Sequence, residues 1–171
     1  ELERDNLIGA LEASRWKVSG VSGAAALLGI KASTLSSRLK GLNLRRPDPG
    51  SLYARLSGHK GIATLVRELV VRVISDPQLY RFWEHRSNVG ILREEQLLIS
   101  YLASASGGPN TYVGRDLKAA HQALGISAAD WHVFKRHLRE TLRVLRVNDP
   151  EAAEIEAFIE ALQPEIVISK T

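Results

Sequence analysis

Apolar side chains recur at helical spacing along most of the chain and seldom alternate with polar ones, as they do in strands. The pattern predicts an all-α protein. Near the N-terminus it predicts a first helix over residues 1–14, with an apolar face made by Leu2, Leu7, Ile8 and Leu11. A short second helix stops at Gly29, because glycine readily adopts the left-handed conformation that ends helices.

A third predicted helix has one buried side and one polar side. Ser33 or its neighbour caps it, and the buried stripe consists of Leu35, Leu39 and Leu42. Its outward side carries short hydrogen-bonding residues among cations: Ser33, Thr34, Ser36, Ser37, Arg38 and Lys40. Short polar side chains let a backbone approach a DNA groove closely, while Arg and Lys reach phosphates or guanine edges.

The segment Pro47–Ser51 contains two prolines and a glycine, which favour a turn or a short stiff linker. Beyond it the periodicity is again helical. The predicted elements are an apolar stripe over Leu65–Ile74 ended by Asp76-Pro77, a helix over Glu94–Ser106, a stretch over Leu117–Leu124 stopped by Gly125, a long helix capped by Ser127, and a last helix from about Pro150.

Composition narrows the classes of protein to consider. The 171 residues are 44% hydrophobic and 25% charged, which favours one ordinary packed domain or two small ones. The absence of cysteine excludes disulfide scaffolds, thiolate zinc sites, iron–sulfur clusters and thiol catalysis. Charged residues or glycine cut every apolar stretch, so no membrane span or signal peptide is predicted and a cytoplasmic protein is expected. The chain has no methionine and opens at Glu1, so we expect a piece of something longer or a trimmed chain.

The formal net charge of +4 is unevenly distributed. Residues 15–46 contain no acidic side chain, and their basic ones are Arg15, Lys17, Lys31, Arg38, Lys40, Arg45 and Arg46. Such a stretch favours a polyanion partner, usually nucleic acid. A solvated cationic face is the alternative.

The order of helix, glycine turn and polar helix is that of a helix-turn-helix. The string Ala-Ala-x-Leu-Leu-Gly-Ile-x-x-x-Thr-Leu over residues 24–35 resembles the Fis-type helix-turn-helix of bacterial enhancer-binding activators, and the likeness covers nearly all of residues 1–47. The resemblance implies a homodimer, paired through the first helix, on a pseudo-palindromic DNA site. The DNA contacts that we predict are Lys31, Ala32, Ser33, Thr34, Ser37, Arg38, Lys40, Arg45 and Arg46. The alternative is a helical dimerisation cap that never touches DNA.

The five histidines are the first candidates for metal or proton chemistry. His132 and His137 are five positions apart, on different faces of one predicted helix, so they do not form a metal pair. No carboxylate pair or Ser/His/Asp grouping is indicated, and we predict no enzyme. From spacing alone, His121 is better interpreted as a structural or solvated histidine than as a haem ligand.

Two strings stand out in the second segment: Leu52-Tyr53-x-Arg55-Leu56-x-Gly58, and Tyr112-x-Gly114-Arg115-Asp116-Leu117-Lys118-x-x-His121. With Gly107-Gly108-Pro109 between them, they resemble a group I truncated haemoglobin over essentially all of residues 52–168. The resemblance implies a 2-over-2 helical sandwich with haem b as its cofactor, and His121 as the proximal ligand of the iron. The other haem contacts predicted on this basis are Phe82, Leu117, Tyr112, Lys118, Val70, Leu98 and Ile126. Ordinary core packing remains the other interpretation of each apolar member.

The side opposite His121 departs from the oxygen-stabilising pattern of that family. Leu69 and Val70 replace its common Phe-Tyr pair, and Leu98 stands where a glutamine often lies, with Glu94 one turn earlier and Gln96 nearby. Dioxygen would therefore lack a hydrogen-bond donor, on which carbon monoxide and nitric oxide depend less. Tyr101 and His85 could supply a polar group, although surface or packing roles are favoured for both.

Together the two resemblances predict a helix-turn-helix domain over residues 1–47, a linker over 48–51 and a truncated globin over 52–171. The predicted function is a haem-based transcriptional regulator that senses O2, CO or NO in the bacterial cytoplasm. The alternatives are a haem enzyme with peroxidase or nitric oxide chemistry, whose N-terminal helices only dimerise, and a haem-free globin fold used for interaction.

Overall fold

The computed structural model describes residues 2–167, apart from the side chain of Leu2. Glu1, the Leu2 side chain of the first apolar face, and residues 168–171 at the end of the predicted globin segment lie outside that description. Within it all regular elements are helical, which confirms the predicted class. The helices are α1 (Leu2–Ala13), α2 (Ala24–Leu27), α3 (Ala32–Gly41), α4 (Leu52–Arg55), α5 (Gly58–Ser75), α6 (Asn88–Ala105), α7 (Leu117–His121), α8 (Ala128–Val144), α9 (Asp149–Ala161) and α10 (Gln163–Ile166).

The helices belong to two compact units. Among the described residues, one contains 2–62 together with Ile99–Tyr112, and the other contains Ala63–Leu98 and 113–167. The first unit thus spans the proposed linker at 48–51, and the domain boundary there stays a prediction. None of the helices in the described part of the chain is long and apolar enough to cross a membrane.

The three N-terminal helices enclose a small core of their own. Its buried members are Leu7, Ile8, Leu11, Ala24, Ala25, Leu35 and Leu44. Gly29 has φ +64°, the left-handed conformation predicted for the end of α2. Gly23 is required for a different reason, since a Cβ there would lie 2.5 Å from the carbonyl oxygen of Ser19.

Two predicted helix starts are wrong. The N-cap of α3 is Lys31, whose side chain makes no capping hydrogen bond, and Ser33 lies inside the helix. Helix α3 begins before its apolar stripe, and Ser33 therefore does not cap it. Similarly, α6 begins at Asn88 rather than at Glu94. Two helix boundaries that a proline or a capping serine predicted are confirmed. Helix α5 ends at Ser75 before Asp76-Pro77, and Ser127 caps α8.

Tyr53 connects distant parts of the first unit. Its ring is buried, its backbone N–H donates to the carbonyl of Ser106 at 2.9 Å, and its hydroxyl donates to Glu12 of α1 at 2.6 Å. Burial, together with that hydrogen bond, raises the pKa of Tyr53 far above its ordinary value, so the hydroxyl remains a donor. The backbone N–H of His59 donates to the same Glu12 oxygen at 3.0 Å.

Asp76 has a comparable role in the second unit. Its carboxylate accepts the backbone N–H groups of Gln78 and Leu79 and lies 2.7 Å from Nε2 of His137 on α8. The hydrogen bond to His137, followed by those two backbone bonds, holds the pKa of Asp76 below its ordinary value of 3.8.

We therefore expect Asp76 to contribute to acid sensitivity. A carboxyl group whose pKa is lower in the folded state stabilises that state above its unfolded pKa, here about 3.8, and the contribution is lost as pH falls below it. In urea unfolding followed by circular dichroism, Asp76→Asn should reduce the free energy of unfolding at pH 7 by roughly 1 to 3 kcal/mol. The variant should also show a shallower fall in stability at acid pH. Asp149→Asn, at an exposed carboxylate, is the control; equal acid profiles for wild type and Asp76→Asn would contradict the assignment.

Candidate functional site

His121 is the last residue of α7, a short helix whose start is well defined. The carboxylate of Asp116 caps it by accepting the N–H of Ala119 at 3.0 Å. After His121 the chain makes a single 3-10 turn and reaches Gly125 at φ +65°. The histidine is thus held between a capped helix start and a glycine turn.

The ring of His121 has the tautomer that a metal ligand needs. Its Nδ1 lies 2.8 Å from the carbonyl oxygen of Leu117. Because a carbonyl only accepts, Nδ1 carries the proton, and Nε2 keeps the lone pair that binds a metal. The side chain is half-buried.

The arrangement fits an iron most of whose ligands come from a prosthetic group rather than from the protein. Within residues 2–167 no three His, Cys, Asp or Glu side chains are grouped so that they could hold a metal ion. His121 would therefore be the one protein side chain that holds the iron, as a histidine does in haem proteins. The residues present fit that group.

The structure distributes the predicted haem contacts over both units. The second unit contains His121, Phe82, Leu117, Lys118, Val70, Leu98 and Ile126, whereas Tyr112 belongs to the first unit. Val70 is 4% exposed and Leu98 is 36% exposed; Leu117, Ile126 and Phe82 are half-buried, and Lys118 is exposed. Each of these roles stays a prediction.

Tyr101 and Tyr112 contact each other in the first unit. Their ring centroids are 5.2 Å apart in an edge-to-face arrangement, and the N–H of Tyr112 donates to the hydroxyl of Ser104. His85 has a side chain that is 91% exposed beside Glu84, as expected for a surface histidine. Packing between rings agrees with the structural role favoured for Tyr101.

The distal positions carry apolar side chains next to ion pairs. Leu69 and Val70 are buried on α5. On α6, Glu94 lies 2.6 Å from Arg86, and the buried Glu95 accepts from Arg67 at 3.0 Å. Glu94 was noted in the sequence because it lies one turn before Leu98. In the structure its carboxylate forms an ion pair with Arg86.

A buried carboxylate that the sequence patterns did not indicate, Asp130, pairs with Arg81, the residue directly before Phe82. Asp130 is 1% exposed, and it accepts hydrogen bonds from Ser127, Gln78 and Arg81. Burial alone would raise the pKa of Asp130, but the bonds from Ser127 and Gln78 and the charge of Arg81 hold it below its ordinary value. The capping-box spacing of Ser127 and Asp130 was the available signal, and it indicates only the local bond.

The predicted DNA-contact residues are on or next to α3. All are exposed except Ala32, which is half-buried: Lys31, Ser33, Thr34, Ser37, Arg38, Lys40, Arg45 and Arg46. Lys31, Thr34 and Arg38 are spaced to share one side of the helix. Arg38 forms an exposed ion pair with Glu3 of α1 at 3.1 Å. Exposed pairs of this kind contribute little to stability. DNA contact by these residues stays a prediction.

Comparison with known proteins identifies relatives of the second predicted segment. The bacterial-like globin family model matches residues 51–167. A group 1 truncated hemoglobin GlbN from Mycolicibacterium paratuberculosis is 34% identical over 122 residues, covering 71% of this chain and 88% of that protein. A group 1 truncated hemoglobin LI410 from Chlamydomonas moewusii is 29% identical over 121 residues, covering 70% and 69%.

Solved structures agree in fold. THB1 from Chlamydomonas reinhardtii aligns with a TM-score of 0.59 at 29% identity, over 70% of this chain and 98% of that one. Truncated hemoglobin from Tetrahymena pyriformis aligns with a TM-score of 0.63 at 22% identity, over 70% and 99%, which is evidence for the fold alone.

The role of His121 as an iron ligand can be tested directly. His121→Gly should fail to retain added haem with a sharp Soret band, because the protein nitrogen that binds iron is gone. Free imidazole should restore the band by occupying the vacated position. His132→Gly, at an exposed histidine of α8, should load like the wild type. Haem retention by His121→Gly that does not respond to imidazole would exclude His121 as the ligand.

Proposed function

Because the chain belongs to the bacterial-like globin family as a group 1 truncated haemoglobin, with haem b as its cofactor, we propose that it is a haem-based sensor of a diatomic gas that regulates transcription. The observation that carries the proposal is the exposed cationic helix α3 on a packed three-helix core. That core lies in the same compact unit as the first residues of the globin match. An oxygen carrier has no need of such a surface.

The gas-binding half rests on His121 and the side chains of the distal positions. Haem supplies an iron that binds small diatomic gases, and Nε2 of His121 is available to hold it from one side. The distal positions Val70 and Leu98 offer no hydrogen-bond donor. We infer a preference for carbon monoxide or nitric oxide over dioxygen.

The DNA-binding half rests on shape and charge. The glycine turn at Gly29 precedes α3, and Lys31 and Lys40 are exposed near its two ends. As a helix-turn-helix, α3 would enter the major groove, and a homodimer would place two copies on a pseudo-palindromic site. Such a regulator acts in the bacterial cytoplasm.

Regulation requires that the gas favour one arrangement of the DNA-binding helices. A bias of about 1.4 kcal/mol changes DNA affinity tenfold. Glu12 of α1 accepts hydrogen bonds from Tyr53 and from the N–H of His59 at the start of α5. Helix α5 continues to Ser75 and includes Val70. This continuity supports coupling between a change near Val70 and α1. We propose a regulator rather than an enzyme on these grounds.

Replacement of the two helix cations tests DNA binding. Wild-type protein should bind a short random-sequence duplex with a steep salt dependence in fluorescence anisotropy. Lys31→Gln with Lys40→Gln should weaken binding and reduce the log–log salt slope by about 2, since each phosphate contact contributes about 0.9. Lys135→Gln with Arg139→Gln on α8 is the charge-matched control, because these cations lie outside the helix-turn-helix.

The same titration tests gas control. For reduced, haem-loaded protein, carbon monoxide should change DNA affinity about tenfold or more, and the change should vanish in His121→Gly. If DNA binding depends on salt but its affinity does not change with carbon monoxide, the protein is a DNA-binding globin and not a gas sensor. Absence of salt-sensitive binding, together with rapid turnover of peroxide or nitric oxide, would favour a haem enzyme.

The apolar distal side leads to a further prediction. Leu98→Gln supplies a donor and should slow dioxygen dissociation about five- to tenfold, the effect of one hydrogen bond of about 1 kcal/mol or slightly more. Carbon monoxide dissociation should change much less. Leu98→Met keeps the volume without a donor and should match the wild type. Flash photolysis and ligand-replacement kinetics give both rates; unchanged dioxygen dissociation in Leu98→Gln would show that Leu98 does not face the ligand.

A further inference from the structure

Asp130 accepts more hydrogen bonds than a helix cap requires. Its Oδ2 accepts the backbone N–H and the hydroxyl of Ser127 at 2.9 and 2.6 Å, and these local bonds belong to the start of α8. Two further donors come from a part of the chain about fifty positions earlier. Arg81 Nη2 lies 2.6 Å from Oδ2, and Gln78 Nε2 lies 3.0 Å from Oδ1. We call Gln78, Arg81, Ser127 and Asp130 the Asp130 cluster.

Through Arg81 the cluster reaches Phe82. The guanidinium carbon of Arg81 lies 4.6 Å from the centre of the Phe82 ring, at cation–π distance. Phe82 is on a single 3-10 turn, Tyr80–Phe82, which by itself restrains a side chain weakly. The guanidinium has its own anchor in Asp130, whose side chain is only 2% exposed. Arg81 thus links the Phe82 ring to Asp130.

Through Ser127 the cluster reaches the loop after His121. The backbone N–H that Asp130 accepts belongs to the residue directly after Ile126. One carboxylate thus restrains both the turn that carries Phe82 and the loop that carries Ile126. Phe82 and Ile126 are both predicted haem contacts. A helix cap alone explains neither the arginine nor the glutamine.

We propose that Asp130 is a positioning residue of the haem pocket, which holds the Phe82 turn and the loop after His121 in the arrangement that retains haem. This inference rests on the haem-binding part of the proposed function and not on its DNA-binding part. Asp130 acts through Arg81 and Ser127 and does not itself contact haem. Charge-assisted bonds of this kind are roughly twice as strong as neutral ones, so the loss of the charge should be measurable.

Asp130→Asn isolates this role from capping. The remaining oxygen of asparagine can still accept from Ser127, but it lacks the charge that pairs with Arg81, and the amide nitrogen no longer accepts from Gln78. We expect the rate of haem transfer to an excess of apomyoglobin to rise about tenfold or more, as for the loss of one charge-assisted bond. Arg81→Gln should raise it similarly, and the double variant should be no faster than either single one.

Two further measurements separate positioning from general stability. Circular dichroism of the Soret band responds to aromatic side chains packed around haem, so it should change in Asp130→Asn and Arg81→Gln. Asp76→Asn is the matched control: it removes another carboxylate, which bonds to His137 and to the backbone N–H groups of Gln78 and Leu79 but not to Arg81. It should lower the urea stability of the haem-loaded protein and leave the Soret dichroism unchanged.

The outcomes are distinguishable. The inference alone fails if Asp130→Asn keeps haem as well as the wild type, or if it loses haem only in proportion to its loss of stability, with unchanged Soret dichroism. Wild-type protein that cannot be loaded with haem would overturn the inference and the sensor proposal together. Additive effects of Asp130→Asn and Arg81→Gln would show that the two residues do not act as a unit.

Discussion

Buried polar groups must keep their hydrogen-bond partners, and in the first unit this constraint is concentrated on Tyr53. Its hydroxyl donates to Glu12, and its backbone N–H donates to Ser106. Gly108 packs so closely on the ring that an added Cβ would lie 2.9 Å from it. Separation of α1 from these residues would leave a carboxylate and a phenol without partners, which costs more than the loss of an exposed pair. The proposed communication between the DNA-binding helices and the globin residues of this unit depends on that bond.

In the second unit, two aspartates hold the hydrogen bonds that keep polar groups paired. Asp76 directly follows α5 and bonds to His137, and Asp130 lies in the first turn of α8 and pairs with Arg81. Asp76 joins the end of α5 to α8, whereas Asp130 restrains short irregular segments that helix propensity alone would leave loose. One such segment carries Phe82, and another follows His121. In a haem protein such segments supply apolar contacts to the porphyrin in addition to the iron ligand.

Much of the local structure was predictable from sequence because it depends on neighbouring residues. Pro77 stops α5, Gly29 and Gly125 end helices in the left-handed conformation, and Ser127 caps α8 through a residue three positions later. The predictions failed where a helix continues beyond its apolar stripe. Ser33 was expected to cap α3, but the polar first turn of that helix begins at Ala32, and the turns of α6 before Glu94 are likewise mostly polar or exposed. Periodicity detects the buried face of a helix and not its exposed ends.

The sequence by itself determined the all-helical class, the globin family and the candidate haem ligand, since each depends on composition, periodicity or a contiguous string such as the one that ends at His121. Only the tertiary structure decided which donors meet Glu12 and Asp130. Glu12 and Tyr53 are 41 positions apart, and Arg81 and Asp130 are 49 apart. No periodicity links residues at such separations, because their meeting depends on how whole helices pack. The tautomer of His121 is instead set locally, because the carbonyl of Leu117, one turn earlier in α7, lies 2.8 Å from its ring.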